Sequence, residues 1–287
     1  MNTLKSVMLL GLLSGLLVIL GGALGGQSGA ILGLVIAGVM NFASYWWSDK
    51  MVLKMYNAQE ISSQDDPELY GDIQELAQNA GLPMPRVYMI PEQAPNAFAT
   101  GRDPEHAVVA VTEGIRRLLS REELKGVLGH ELTHIKRRDI LIGTIAATIA
   151  GAITYIAYMA QFAAMFGGFG GGDRRGSNPI ALIAMAILAP IAAGMIRMAI
   201  SRTREYGADR GGAEICGNPM YLADALRKMA NYSGRARMSV SQRTAESTAH
   251  MMIISPMLGG GLSKLFSTHP PIEERIARLE EMAIGRS

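Results

Sequence analysis

Four stretches of this chain run 17 residues or longer without a charge: residues 7–24, 31–47, 140–166 and 179–195. The last reaches residue 200 if Arg197 snorkels. Crossing a bilayer takes about 20 apolar residues, with roughly 17–25 as the working range. A signal peptide is the rival reading of the first run, since Lys5 precedes it. That run is long for a signal and a second follows almost at once, so residues 1–48 are expected to form a transmembrane hairpin. The second pair, within residues 140–200, is joined by the Gly-rich loop at 166–173. It spans the membrane or forms the core of a helical domain; the 27 uncharged residues of 140–166 favour spanning.

Basic residues near the span ends set the orientation. With the N-terminus inside and four crossings, Lys5, Lys50, Lys54, Lys136, Arg137, Arg138, Arg202 and Arg204 are internal, and only Arg174 and Arg175 external. That topology puts residues 49–139 and 201–287 together on the cytoplasmic side as two parts of one domain. A net charge of +2 excludes a nucleic-acid binder that relies on a large positive field. The single Cys216 excludes an intrachain disulfide and reads as a small buried filler.

The chemistry is concentrated in Leu128-Gly-His-Glu-Leu-Thr-His-Ile135. Ser120 and Glu123 form a capping-box pattern that starts a helix, and along that helix His130 and His134 are i and i+4. Both imidazoles then share a face and can hold one Zn²⁺. Glu131 can reach a water on the metal and act as general base in peptide hydrolysis. A catalytic zinc wants a third protein ligand and an open position. Glu205 is the best candidate, in Ser201-Arg-Thr-Arg-Glu-Tyr-Gly-Ala-Asp209. Asp209 shares its helix face and can orient a ligand histidine. Charged residues bracket the motif on both sides, so the site belongs at the membrane surface and not within the bilayer.

Around this site, residues 85–90 and 107–111 read as strands, with 94–100 as an edge. Helices are expected over 67–80, 219–232 and 271–284, the first packing on the sheet. The segment 233–267 is polar, then Met- and Gly-rich, and reads as a mobile cover. Asp139 is read as a helix-orienting residue without a catalytic role, and His106 and His250 as structural or solvated.

Taken together, the N-terminal hairpin, the His130–Glu131–His134 motif, the segment ending at Asp209 and Thr268-His-Pro-Pro-Ile-Glu-Glu-Arg275 resemble the HtpX family. These are bacterial membrane-bound zinc endopeptidases, related to the Ste-type prenyl-protein (CAAX) and Oma-type proteases. The resemblance covers nearly the whole chain. It implies a mainly α catalytic domain with a small β-sheet, a membrane-anchored gluzincin-like zincin. It implies one Zn²⁺ on His130, His134 and Glu205, with Glu131 as base. It also marks Asn96, Ala97, Phe98 and Ala99 as a strand that holds the substrate backbone. His269 is either an oxyanion donor or a device of the helix N-terminus that follows it.

The implied activity is cleavage of unfolded or damaged membrane proteins at the cytoplasmic face of a bacterial inner membrane. Two alternatives accompany it: a non-catalytic, zinc-stabilised membrane scaffold, and a CAAX-type prenyl-protein protease. Glu131 argues against the scaffold, because a structural site closes with four protein ligands and has no use for a base.

Overall fold

A computed structural model describes residues 2–142, 202–232, 253 and 270–285. The second apolar pair, most of segment 233–267 and His269 lie outside the described residues.

Helix α1 (Asn2–Met55) doubles back on itself. A straight helix would hold Leu10 and Asn41 roughly 45 Å apart. Instead the Asn41 side-chain amide donates to Ser14 Oγ at 2.9 Å and to the Leu10 carbonyl at 3.4 Å. Gly26 makes the turn with φ +58°, a conformation open to glycine at little steric cost. Gly33 lets the arms touch, since a Cβ there would collide with the Leu17 carbonyl. Among the described residues one apolar run, Gly26–Trp47, is long enough to cross a membrane. The first arm carries the shorter run Leu10–Ile19 in place of the span expected over 7–24. The glycines at 21, 22 and 25 and Gln27 dilute its hydropathy toward the turn.

The rest is helical around a four-stranded mixed sheet of order β1-β2-β4-β3. Its strands are β1 (Gln59–Ile61), β2 (Arg86–Ile90), β3 (Ala97–Thr100) and β4 (Val108–Thr112). β2 and β4 are parallel; β1 and β3 are antiparallel edges. β4 is buried on both faces, as its Val-Val-Ala-Val run requires. Val87, Val109 and Val111 face the main core; Ile90, Phe98, Val108 and Ala110 face Val52, Leu53 and Tyr56 at the end of α1.

Helix α2 (Pro67–Ala80) starts at Asp66, whose side chain accepts from Leu69 N–H, and stops at Gly81 in the left-handed region. It buries the apolar face expected of it, but against helices more than against the sheet. Its main partners are α4 (Arg121–Lys136) and α5 (Arg202–Cys216). A short α3 (Glu113–Leu118) links β4 to α4, whose Ser120–Glu123 capping box is present. α6 (Pro219–Tyr232) and α7 (Ile272–Ala283) pack on each other, α6 against α4 and α7 against α5.

Candidate metal centre

Helix periodicity carries His130 and His134 to the inner face of α4, and α5 brings Glu205 opposite. One ligand atom from each falls within 4.8 Å of the others. The two Nε2 atoms are 3.2 Å apart. Glu205 carboxylate oxygens stand 3.8 Å from His130 Nε2 and 3.7 Å from His134 Nε2. Both Nδ1 atoms face carboxylates: His130 Nδ1 lies 2.9 Å from Asp209 Oδ1, and His134 Nδ1 lies 3.2 Å from Asp139 Oδ2. Neutral rings therefore place their protons on Nδ1 and turn both Nε2 lone pairs toward each other. Two nitrogens each about 2.05 Å from one ion at a tetrahedral angle stand about 3.3 Å apart. Two imidazoles and a carboxylate thus fit one metal ion.

The electrostatics follow from burial. For His134, burial opposes the imidazolium, but the Asp139 hydrogen bond and the Glu205 and Glu131 charges outweigh it and raise the pKa to about 8. Burial holds His130 below its ordinary value despite Asp209. Burial also works against the Asp209 carboxylate, yet the Arg275 charge and the hydrogen bonds from His130 and Arg275 bring it below the usual range. Glu131 is pushed up to about 7, by burial first and then by the nearby Glu205 charge. Its Oε2 accepts the Ala99 backbone N–H at 2.9 Å.

That last bond comes from the edge of β3 away from β4. Thr112 N–H donates to the Asn96 carbonyl at 2.9 Å, and Ala97 pairs with Val111. Asn96, Phe98 and Thr100 are therefore in the hydrogen-bonded register with β4, and the backbone N–H and C=O of Ala97 and Ala99 point to the edge.

Residues 63–283 match peptidase family M48. The chain belongs to that family. As a member of M48 it is a metallopeptidase. It is 57% identical over 284 residues to a protease HtpX homolog of Syntrophotalea carbinolica, covering 99% of this chain and all of that one. It is 59% identical to the Desulfatibacillum aliphaticivorans homolog over 97% of this chain and 89% of the relative. For the Ralstonia pickettii homolog the identity is 56%, over 98% and 97%. Among solved structures it is similar to the crystal structure of S. mikatae Ste24p, with a TM-score of 0.50 and 19% identity. That likeness in fold covers 97% of this chain and 65% of Ste24p.

The M48 fold brings His130, His134, Glu205, Glu131 and Asp209 to one place. Ala97 and Ala99 lie along it. Phe98 does not: strand alternation turns it to the opposite face, 1% exposed, with its ring centroid 5.8 Å from that of Tyr56. Asn96 is buried, and its Oδ1 accepts the N–H of Ala97 at 2.9 Å and of Ile253 at 3.2 Å. The roles of two residues escaped the sequence reading, which took Asp139 only as orienting the helix and gave Arg275 no role. Asp139 orients His134, although it lies beyond the last turn of α4. Arg275, fully buried, binds Asp209 from α7. The acidic residue five positions after the second histidine was a visible signal for Asp139. For Arg275 only its place in the C-terminal motif was.

Proposed function

We propose that this M48 metallopeptidase is a membrane-anchored zinc endopeptidase acting on unfolded or damaged membrane proteins. We place it in a bacterial inner membrane, multi-pass, with its catalytic domain in the cytoplasm. The observation that carries the reading is Glu131, a buried carboxylate next to a His–His–Glu cluster, held by a backbone N–H on the edge of β3 away from β4.

His130, His134 and Glu205 would hold the zinc. When bound, zinc supplies Lewis acidity, polarising the scissile carbonyl and acidifying water. Glu131 would keep Oε2 on Ala99 N–H and take on Oε1 a proton from the water whose oxygen bonds the scissile carbon, then give that proton to the nitrogen as the C–N bond breaks. The edge-facing carbonyls of Ala97 and Ala99 suit an extended peptide added alongside β3, while their N–H groups stay on Asn96 Oδ1 and Glu131 Oε2. Such recognition reads backbone, so it favours chains that have lost their fold. Asp209 and Asp139 fix the tautomers of the two histidines.

Membrane anchoring is supported by α1. Ile31, Leu32, Leu34, Val35 and Val39 are each more than half exposed, an apolar surface that water does not favour. Phe42, Tyr45, Trp46 and Trp47 follow at its end, and Arg102 stacks 4.6 Å over the Trp46 ring. Aromatic residues of this kind collect at the membrane–water boundary, which sets the catalytic domain directly against it.

The deciding experiment is cleavage of an unfolded protein by detergent-purified chain, with zinc and with chelator, beside Glu131→Gln. Zinc-dependent cleavage that vanishes in the variant is the expected result. Zinc-loaded wild type without activity would favour the scaffold.

A further inference from the structure

We infer that Arg275 is a positioning residue for the metal centre, holding Asp209 against His130 and tying both to the substrate strand through Ile253. The inference rests on the zinc reading above. Arg275 sits in the first turn of α7, more than 130 residues after the histidines, and is 0% exposed.

Its guanidinium uses all three nitrogens. Nε donates to Asp209 Oδ2 at 2.9 Å, and Nη2 to Asp209 Oδ1 at 2.6 Å. Nη1 donates to the Ile253 carbonyl at 3.1 Å. The Ile253 N–H in turn donates to Asn96 Oδ1, the residue that opens β3. One planar fork thus connects the metal side of the cleft to its peptide side. A lysine ammonium cannot reproduce two parallel bonds to one carboxylate plus a third in the same plane.

The fork also settles what His130 does. Nη2 lies 3.4 Å from His130 Nδ1. With Nε2 turned to His134 and Glu205, Nδ1 carries the proton, so these are two donors converging on Asp209 Oδ1 and not a bond to each other. An arginine here offers Asp209 a partner that never gives up its charge. Both Asp209 oxygens are then held in place by the fork, and Oδ1 stays aimed at His130 Nδ1, which locks the tautomer. A buried guanidinium is a costly way to fill a helix contact; an apolar side chain would pack there without a partner.

The test uses full-length protein in detergent, with zinc affinity from chelator competition, the Co²⁺ absorption bands, and kcat and KM on an unfolded protein. R275K keeps the charge and loses the fork. The D209N/R275Q pair, measured beside D209N alone, removes both charges together, so neither is left buried alone. We expect R275K to lose about 10- to 100-fold in zinc affinity, with shifted Co²⁺ bands and a lower kcat. The pair should fall no further than D209N alone, because both residues act through one network.

Zinc affinity, Co²⁺ bands and kcat within twofold of wild type in R275K would overturn the inference. So would a lowered melting temperature as the only change, or failure of both variants to fold, which would mark Arg275 as a folding residue. Wild type that holds no metal would sink the zinc reading itself; metal-binding wild type beside unaffected variants would sink this inference alone.

Discussion

Gly212 of α5 lies directly against the backbone of His130 in α4: a Cβ at Gly212 would stand 2.7 Å from His130 N and 3.0 Å from its Cα. Gly129 meets the same contact from the other side, where a Cβ would approach Gly212 O at 2.9 Å and Cys216 Sγ at 2.5 Å. Two glycines thus let α4 and α5 close until Glu205 reaches the histidines. Neither has a positive φ, so Ala in place of Gly212 would favour the isolated helix by about 1 kcal/mol. The backbone clash dominates, and overpacking of this kind costs about 1–3 kcal/mol. Gly212→Ala should lower the melting temperature and weaken zinc binding at least tenfold, although the residue is not a ligand. Equilibrium dialysis against zinc checks it; unchanged affinity would mean the helices can separate without moving Glu205.

Glu131→Gln separates chemistry from metal binding. Gln keeps a carbonyl oxygen for the Ala99 N–H and cannot serve as base. General-base catalysis contributes about 10²- to 10⁴-fold, so kcat should fall by that much or more while zinc content stays near one per chain. Burial of an ionisable carboxyl ends in the variant, so its stability should not decrease. Metal analysis beside initial rates makes the comparison, and loss of zinc in the variant would give Glu131 a ligand role instead.

The His134–Asp139 pair makes metal uptake pH-dependent. Without metal, His134 titrates at about 8, above the ordinary value near 6.5. Its protonated form therefore stabilises the fold below about 6.5, and that contribution disappears as the pH rises through 8. A ligand must be deprotonated, so zinc binding at pH 7 should release about one proton from His134. Glu131, at about 7, adds a share at the acidic end of the range. The His134 share should fall toward zero by pH 9 to 10, where ionisation of metal-bound water supplies the remaining release, and zinc affinity should rise across the same interval. Asp139→Asn removes the leading favourable contact, so it should shift the release curve to lower pH. Calorimetry in buffers of different ionisation enthalpy measures the count; an Asp139→Asn curve that superimposes on that of wild type would contradict the pairing.

How much of this was legible in the sequence depended on the range of the interaction. Local signals worked: the Ser120–Glu123 box and the i, i+4 histidines define α4, and the apolar positions of 67–80 define the buried face of α2. Glu205 and Asp209 were readable because they share one turn of helix and follow the motif's return to the same side. What failed was long-range or cross-strand. Phe98 looked like part of a substrate strand, since nothing in a single strand says which face meets α1. Arg275 had no readable role beyond closing the C-terminal motif, because its partner lies 66 positions earlier. Residues 21–30 read as the end of one span and the link to the next, while their glycines both turn α1 and shorten its first apolar run.

The placement of Phe98 yields a last prediction. Its ring fills the second core with Tyr56, Val52, Leu53 and Ile90, on the face of the sheet away from Glu131. Removing a fully buried Phe side chain costs about 3–5 kcal/mol, because the cavity only partly collapses. Phe98→Ala should therefore lower the melting temperature markedly. Its neighbours Ala97 and Ala99 keep their edge-facing backbone groups, so the surviving folded fraction should bind peptide as before. KM per folded enzyme should stay within about twofold of wild type, whereas Ala99→Pro, which deletes the N–H that holds Glu131, should depress kcat without opening a core cavity. Steady-state kinetics corrected for folded fraction distinguishes the two. A large rise in KM for Phe98→Ala would mean that the ring reaches the substrate after all, and that the sheet flexes far more than its two-sided burial suggests.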